Sequence, residues 1–344
     1  MSTSYSVAVV GATGAVGETL VEILEERDFP VGDLHLLASE RSAGKRLPFR
    51  GAQHVVRDIA DFDFARARIA LFSAGGAVSA RYAPIAADAG CVVIDNTAHF
   101  RRDEDVPLVV PEVNPAAVAA WRQRGIIANP NCSTIQMVVA LKPIYDAVGI
   151  ERINVATYQA VSGTGKSAIE ELAGQSARLL NGEPVERAVY PQQIAFNALP
   201  HIDVFQDNGY TREEMKMVWE TRKIFADESL LVNPTCVRVP VFHGHAEAVH
   251  IETREPLAAE AARSMLARAP GVSVVDEAED GGYATQVTDA AGRDPVFVSR
   301  IRNDISHQRG LNLWVVADNL RKGAALNSVQ IAELLLRERG LDRW

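Results

Sequence analysis

Residues 5–27, YSVAVVGATGAVGETLVEILEER, decide the fold of the first part of the chain. The apolar run at 5–10 predicts a buried strand, and the apolar spacing of 18–27 predicts an amphipathic helix. Further strands are predicted at 34–39, 67–75, 91–97 and 125–131, and a further helix at 79–89. Strands that alternate with helices predict an α/β fold with a parallel, doubly wound sheet of the Rossmann type.

After residue 131 the pattern changes to strands of mixed character with separate helices. Strands are predicted at 153–162, 236–242, 247–253, 295–304 and 311–318, and helices at 211–225, 256–269 and 327–340. This pattern favours an α+β domain with a mixed sheet. We therefore predict a Rossmann domain over 1–131, completed by the C-terminal segment 319–344, and a second domain over 132–318.

Composition excludes several classes of protein. The chain has 344 residues, 47% of them hydrophobic, and a net charge of −9 with interleaved signs, which disfavours a nucleic-acid surface. No apolar run reaches the roughly 18 residues of a membrane span, and the first residues lack the features of a secretory signal. The three cysteines, at 91, 132 and 236, show no CxxC spacing. They favour the cytoplasm and disfavour disulfides or a metal site.

The turn between the first strand and helix contains Gly11, Gly14 and Gly17. Without Cβ atoms the turn can bring its amides and the helix N-terminus against a pyrophosphate, so the turn predicts a dinucleotide cofactor. The predicted cofactor contacts in this turn are Gly11, Thr13, Gly14, Ala15 and Val16.

The end of the second strand bears on the choice of cofactor. Ser39, Arg41 and Ser42 are suited to bind a 2′-phosphate, which favours NADP. Glu40 leaves NAD, or a plain exposed loop, as the alternative.

Residues 160–167, AVSGTGKS, nearly match the phosphate-binding loop of nucleotide triphosphatases, with alanine at the first glycine position. A dinucleotide site already precedes this segment, and no clear magnesium-binding aspartate strand follows it. We interpret it as a glycine-rich loop over the nicotinamide end of the cofactor, with Ser162 and Gly163 as contacts.

Cys132 follows Asn129-Pro130-Asn131 and precedes an apolar helical run at 135–148. A cysteine at a helix N-terminus is stabilised as the thiolate, which makes Cys132 the candidate nucleophile. Cys91 and Cys236, each predicted to begin a strand, are interpreted as buried and inert.

The candidate base is His245, within 238–250, RVPVFHGHAEAVH. His243 and His245 could also bind a metal, but no third ligand has suitable spacing, and His243 and His250 are interpreted as structural residues. On one regular strand Arg238 and His245 would point to opposite faces. A bulge or bend at Gly244 is therefore expected if both serve one site.

Five motifs together resemble the aspartate-semialdehyde dehydrogenase family. They are GATGAVG (11–17), NPNCST (129–134), YQAVSGTG (158–165), RVPVFHGHAEAV (238–249) and ADNLRKGAA (317–325). The resemblance implies a catalytic and dimerisation domain after the Rossmann domain, and a homodimer or dimer of dimers. It also implies reversible conversion of aspartyl 4-phosphate and NADPH to aspartate 4-semialdehyde, NADP and phosphate, in the biosynthesis of lysine, threonine, methionine and diaminopimelate.

The resemblance also implies roles for individual residues. Cys132 is the thioester nucleophile, His245 the acid/base and Gln159 the residue that orients the substrate. The implied substrate and phosphate ligands are Arg101, Asn131, Glu213, Lys216 and Arg238, and Asn319 is an implied cofactor contact. From the residues alone, Glu213 and Lys216 would be interpreted first as an exposed ion pair on a helix that Thr211 and Glu214 cap as a box.

Three other interpretations stay open at this stage. N-acetyl-γ-glutamyl-phosphate reductases share the two-domain plan and the cysteine thioester chemistry, but their cysteine motif differs from NPNCST. Malonyl-CoA reductases have a similar scaffold. A non-catalytic dinucleotide-binding relative is the third, but it would be expected to lack the nucleophile or the base.

Overall fold

A computed structural model of the chain describes residues 4–337. The strands are β1 (Tyr5–Val10), β2 (Val31–Ala38), β3 (Arg46–Phe49), β4 (Ala52–Val55), β5 (Arg57–Asp58), β6 (Ile69–Phe72), β7 (Val92–Asp95), β8 (Ile126–Ala128), β9 (Ile150–Gln159), β10 (Leu231–Arg238), β11 (His245–Thr253), β12 (Val272–Val274), β13 (Val296–Asn303) and β14 (Gly310–Ala317). The helices are α1 (Ala15–Glu26), α2 (Gly76–Asp88), α3 (Cys132–Val148), α4 (Lys166–Leu180), α5 (Arg212–Phe225), α6 (Ala259–Leu266) and α7 (Leu326–Arg337). Among these helices, none combines the length and the apolar character that a membrane crossing needs.

The first of two compact units contains the described residues up to Asn131 and those from Ala324 onward. Its six-stranded sheet has the order β5-β2-β1-β6-β7-β8, and every pair is parallel. This arrangement confirms the predicted parallel Rossmann-type sheet. Helix α7 contributes Leu326, Val329 and Leu335 to the hydrophobic core of this unit. Residues 338–340 of the predicted last helix lie outside the described residues.

The second unit runs from Cys132 to Gly323 and is built on a mixed sheet of order β10-β9-β11-β14-β13-β12. Strand β9 pairs in parallel with β10 and antiparallel with β11. Strands β11, β14 and β13 follow one another antiparallel, and β12 pairs in parallel with β13. The predicted mixed sheet is therefore confirmed.

The boundary near the end of the chain differs from the predicted one. Residues 319–323, which we assigned to the C-terminal completion of the first domain, belong to the second unit. They stay hydrogen-bonded to the end of β14, because the Asp318 carboxylate accepts the amides of Leu320 and Arg321 at 2.8 and 3.0 Å. The Gly323 amide donates to the Asp318 carbonyl at 3.0 Å.

The strand predicted at 236–242 is wrong in its position. Strand β10 ends at Arg238, and Cys236 lies within it and not at its start. The next residue still contacts the end of β9, because the Val239 amide donates to the Gln159 carbonyl at 3.0 Å. Pro240 has no amide hydrogen to continue a ladder, which explains why the strand does not extend.

Candidate active site

Three buried polar residues form a row across the second sheet. Gln159, at the end of β9, pairs with Arg238 of β10 on one side and with His245 of β11 on the other. Residues paired in neighbouring strands direct their side chains to the same face. The exposed fractions are 1% for Gln159, 4% for Arg238 and 0% for His245. The row therefore presents an amide, a guanidinium and an imidazole side by side.

Of the two expected distortions at Gly244, the structure has the bend and not the bulge. Arg238 and His245 lie on different strands, and Gly244 belongs to the turn between them with a φ of +86°. A Cβ at Gly244 would lie 2.9 Å from the Gln286 carbonyl oxygen, so no larger residue fits there.

The residues around this turn include three predicted cofactor contacts. The Asn319 side-chain oxygen accepts the Gly244 amide at 2.9 Å, and Asn319 and Ser162 are hydrogen-bonded through their side chains at 3.0 Å. Gly163 lies against the row, since a Cβ there would be 3.0 Å from Nη1 of Arg238 and 3.3 Å from the His245 ring. Gly163 therefore lies against the His245 ring, and Asn319, which is hydrogen-bonded to Ser162, holds the residue before His245.

The hydrogen bond at His245 selects one tautomer of its ring. Nδ1 accepts the Ala160 amide at 3.0 Å, so the neutral ring carries its proton on Nε2. Burial, together with the Arg238 guanidinium, lowers the pKa of His245 to about 3. Nε2 has no hydrogen-bond partner among the described residues. His245 is therefore a neutral, buried hydrogen-bond donor, although an unperturbed histidine would titrate near neutrality.

Arg238 is held on one side of its guanidinium. Nη1 donates to the Ala160 carbonyl at 2.6 Å, and Nε has no partner within the described part of the chain. A guanidinium anchored in this way can still offer N–H groups to an anion such as a carboxylate.

A second charged group lies on α5 and connects to the row. Nζ of Lys216 is 3.0 Å from Glu213 and 2.9 Å from Asp203, and Asp203 also binds Arg212 at 2.8 Å. Glu213 accepts from Nε2 of Gln159 at 3.4 Å. Glu213 is only 5% exposed, so the alternative of an exposed ion pair is wrong.

The start of α5 has the predicted capping box. The Thr211 hydroxyl accepts the Glu214 amide, and the Glu214 carboxylate accepts the Thr211 amide at 2.7 Å. This box fixes the first turn of α5, which contains Glu213 and is followed by Lys216.

Asp203 is the residue that the sequence analysis missed. Although burial opposes the change, hydrogen bonds from Arg212 and Lys216 lower the pKa of Asp203 below its usual value. Burial likewise opposes the ammonium of Lys216, but Glu213 and Asp203 together raise its pKa. Asp203 and Lys216 are therefore both ionised. Because they are far apart along the chain, no local sequence pattern predicted their contact.

Cys132 is the first residue of α3 and is partly exposed. A Cβ at Gly323 would lie 2.8 Å from the Cys132 Cβ, so the two chain segments are in close contact. Burial raises the pKa of Cys91 to about 12 and also raises the pKa of Cys236. Cys132 is thus the thiol with both solvent access and a helix N-terminus.

The glycine turn of the first unit fits a dinucleotide. Gly11 has a φ of +86°, and a Cβ on Gly17 would lie 2.1 Å from the Gly11 carbonyl oxygen. Helix α1 begins at Ala15 without a side-chain cap, which leaves its first amides for an anion. Thr13 and Val16 lie on either side of this helix start.

The predicted 2′-phosphate residues follow β2, the parallel neighbour of β1. Arg41 is exposed in a single helical turn over Glu40–Ser42, and the Ser42 amide donates to the Ser39 carbonyl at 2.8 Å. Ser42 is 7% exposed. Arg41 is therefore an accessible cation near the carboxyl end of this strand.

Two predicted substrate ligands lie in the first unit. Arg101 is 8% exposed and donates from Nη2 to the Asn96 carbonyl at 2.9 Å, and Asn131 is 5% exposed. His250, interpreted from the sequence as structural, is confirmed as such, since its Nε2 is 2.8 Å from Asp304.

Two family comparisons cover most of the chain. Residues 6–121 match the semialdehyde dehydrogenase NAD-binding domain, and residues 141–322 match the semialdehyde dehydrogenase dimerisation domain. The chain is 66% identical to aspartate-semialdehyde dehydrogenase 2 of Vibrio cholerae, over 98% of this chain and 99% of that protein. This chain belongs to the aspartate-semialdehyde dehydrogenase family.

Solved structures agree with that assignment. The Vibrio cholerae aspartate semialdehyde dehydrogenase II complexed with ASA has a TM-score of 0.96 and 65% identity, covering 98% of this chain and 99% of that chain. The Candida albicans enzyme with NADP has a TM-score of 0.76 and 26% identity, covering 97% and 98%. The resemblance drawn from the sequence motifs, and the prediction of a dinucleotide-binding domain, are confirmed.

Proposed function

We propose that this chain catalyses the reversible, phosphate-dependent oxidation of aspartate 4-semialdehyde with NADP. The observation that carries the proposal is the buried row of Arg238, Gln159 and His245 in a chain of this family. In the reducing direction, aspartyl 4-phosphate, NADPH and a proton give aspartate 4-semialdehyde, NADP and phosphate.

The reaction begins at Cys132. Its thiolate attacks the acyl carbon, the C–S bond forms, and the C–O bond to phosphate breaks, so phosphate leaves with the electron pair. The product is a thioester on Cys132. Bound NADPH supplies the hydride that reduces this thioester. Collapse of the resulting thiohemiacetal breaks the C–S bond, releases the aldehyde and regenerates the thiolate, and the released phosphate takes up the proton.

The buried row would stabilise the oxygen that becomes negative during these steps. Nε2–H of His245 is a hydrogen-bond donor on this face of the sheet. The Gln159 amide would join it by releasing Glu213, the longer of its two contacts at 3.4 Å. Donors that are already fixed in a buried site stabilise an oxyanion without reorganisation. For His245 to accept a proton in the oxidising direction, Nδ1 would have to release the Ala160 amide.

The charged groups would bind the two ends of the substrate. Arg238 is suited to the α-carboxylate and Glu213 to the ammonium, while Lys216 and Arg101 are suited to phosphate, with Asn131 as a further polar contact. Gly11, Thr13, Gly14, Ala15 and Val16 would hold the pyrophosphate, and Ser39, Arg41 and Ser42 the 2′-phosphate. Contact of Ser162, Gly163 and Asn319 with the cofactor stays a prediction.

The proposal is tested by phosphate-dependent NADP reduction with aspartate 4-semialdehyde. We expect turnover by the native chain, none by Cys132→Ser, and native-like turnover by the matched control Cys91→Ala. Turnover that survives in Cys132→Ser would exclude the thioester route. Preference for N-acetylglutamate 5-semialdehyde would instead favour the N-acetyl-γ-glutamyl-phosphate reductase alternative.

The match to a dimerisation domain over residues 141–322 supports a homodimer. A dimer of dimers is the larger assembly predicted from the resemblance. The small number of cysteines favours a location in the cytoplasm. Sedimentation equilibrium of the full chain distinguishes one dimer from two.

A further inference from the structure

Glu247 is a fully buried carboxyl group that the proposed chemistry does not use. It lies on β11 two positions after His245, so both side chains point to the same face of the sheet. It is 0% exposed, and neither of its carboxyl oxygens has a hydrogen-bond partner among the described residues. A buried group of this kind needs a structural or functional explanation.

The register places Glu247 in the row next to the candidate site. Glu247 and Cys236 both pair with Thr157 of β9, just as His245 and Arg238 both pair with Gln159. The two rows are joined because Nε2 of Gln159 donates to the Thr157 hydroxyl at 3.2 Å. Glu247 therefore lies one row away from His245 within the same buried layer.

Helix α3 brings a second buried polar side chain to this position. Gln136 follows Cys132 by one helical turn, so the two residues share a face of α3. Helix α3 packs against β11, and Gln136 is only 1% exposed. Its amide approaches Glu247 closely enough to lower the pKa of the carboxyl, although the two groups stop short of a well-formed hydrogen bond.

The environment of the Glu247 carboxyl favours its neutral form. Burial raises its pKa well above the usual value, and the Gln136 amide offsets this only in part. An isolated buried carboxylate would be far more costly than a protonated one. A carboxylic acid has one donor and one acceptor oxygen, which match the oxygen and the NH₂ of an amide.

We propose that Glu247 and Gln136, paired as acid and amide, are positioning residues that fix the first turn of α3, and with it Cys132, relative to the strand that carries His245. Glu247 would act through Gln136 and would touch neither substrate nor cofactor. The proposal rests on the proposed role of Cys132 as nucleophile.

Two substitutions separate this role from simple packing. Glu247→Gln keeps the shape and the neutral pairing with Gln136, and Glu247→Leu keeps the volume but removes the pairing. We expect Glu247→Gln to stay within about twofold of the native kcat, and Glu247→Leu to lose about tenfold or more in kcat with little change in KM, because misplaced reacting groups slow the chemical step. Glu252→Leu is the control on the same strand, where Glu252 lies 3.8 Å from Arg152 at the partly exposed end.

A second measurement does not depend on turnover. The rate of Cys132 alkylation by iodoacetamide, followed against pH, is expected to be native-like in Glu247→Gln and shifted in Glu247→Leu. Gln136→Leu is expected to shift it equally, and the double variant Glu247→Leu/Gln136→Leu to be no worse than either single change, since the two act as one pair. Gln136→Leu also supplies the test if Glu247→Leu does not fold. Failure of the proposed substrate would leave these alkylation results unaffected.

Three outcomes would overturn the proposal. Native kcat and native alkylation in a folded Glu247→Leu would show that the pair positions nothing. Loss in Glu247→Gln as large as in Glu247→Leu would show that the acid proton itself is required. An infrared difference spectrum between native and Glu247→Gln protein without a protonated carboxyl band would show that Glu247 is ionised.

Discussion

Arg238 and His245 lie on either side of Gln159, because each is paired with it from a neighbouring strand. Neighbouring strands lie about 4.8 Å apart, so the guanidinium and the imidazole start from backbones about two strand spacings apart. That separation suits a substrate whose carboxylate binds at one position while its carbonyl carbon reacts at another. The row also explains the low pKa of His245, since the buried ring lies near a fixed cation.

The first prediction concerns Arg238→Lys. This change keeps the positive charge that disfavours the imidazolium but loses the planar fork that binds a carboxylate with two hydrogen bonds. We expect KM for aspartate semialdehyde to rise by about tenfold or more, with a smaller change in kcat, because a lost charge-assisted hydrogen bond costs roughly 1.5–3 kcal/mol. Steady-state kinetics measure both constants. Arg263→Lys, on α6 and paired with Asp276 at 2.7 Å, is the control.

The outcome that would contradict this prediction is an unchanged KM in Arg238→Lys. It would mean that the guanidinium is structural and anchors only the Ala160 carbonyl, 2.6 Å from Nη1.

The second prediction compares two glycine-to-alanine changes. In Gly163→Ala the new Cβ would lie 3.0 Å from Nη1 of Arg238 and 3.3 Å from the His245 ring, so one or both must move. We expect kcat/KM to fall by about tenfold or more, because small displacements of reacting groups are costly. Gly174→Ala in α4 meets nothing within 4 Å and is expected to leave kcat/KM unchanged. It should raise the free energy of unfolding by about 0.5–1 kcal/mol. Equal kinetics in the two variants would show that Gly163 has room for a methyl group.

Local sequence patterns predicted much of this molecule. The strand, turn and helix at the N-terminus are adjacent along the chain, so glycine spacing and apolar periodicity indicated the parallel sheet directly. The capping box at Thr211 and Glu214 predicted the start of α5, and with it the shared face of Glu213 and Lys216. Each of these features depends on residues only a few positions apart.

Long-range pairing was not predictable in the same way. Arg238 and His245 are close in sequence, but their side chains share a face because both strands pair with β9. Asp203 lies in a preceding loop, with its carboxylate 2.9 Å from Nζ of Lys216, and no periodic sequence pattern predicts such a contact. The prediction that the substrate is derived from aspartate rests on five motifs taken together, since no single residue type specifies aspartate.

The third prediction concerns the cofactor. Arg41 is the first exposed cation after β2, and its removal in Arg41→Ala would take away a ligand of the 2′-phosphate. We expect KM for NADP to rise by about 10- to 100-fold while activity with NAD changes little, since one charge-assisted hydrogen bond is worth roughly 1.5–3 kcal/mol. Initial rates with each cofactor give the ratio. Arg46→Ala in β3 is the control, and equal loss with NADP and NAD in Arg41→Ala would contradict the assignment.

The fourth prediction follows from the pKa of His245, which burial and Arg238 lower to about 3. An unfolded histidine has a pKa of about 6.5, so between these two values the unfolded chain binds more protons than the folded chain. Stability from the neutral ring is therefore complete above pH 6.5 and is lost as the pH falls toward 3, by about 1.4 kcal/mol per pH unit. Urea unfolding at pH 7, 6, 5 and 4 measures this slope.

The non-titrating variant His245→Asn isolates that contribution. Glu247 acts in the opposite direction, because its pKa is raised and its stabilisation is lost as the pH rises. Glu247 is present in both proteins, so subtracting the two unfolding curves removes its contribution. We expect the native protein to lose stability relative to His245→Asn by about 3 kcal/mol between pH 7 and pH 4, as the linkage relation requires. Parallel pH profiles for the two proteins would mean that folding does not lower the pKa of His245.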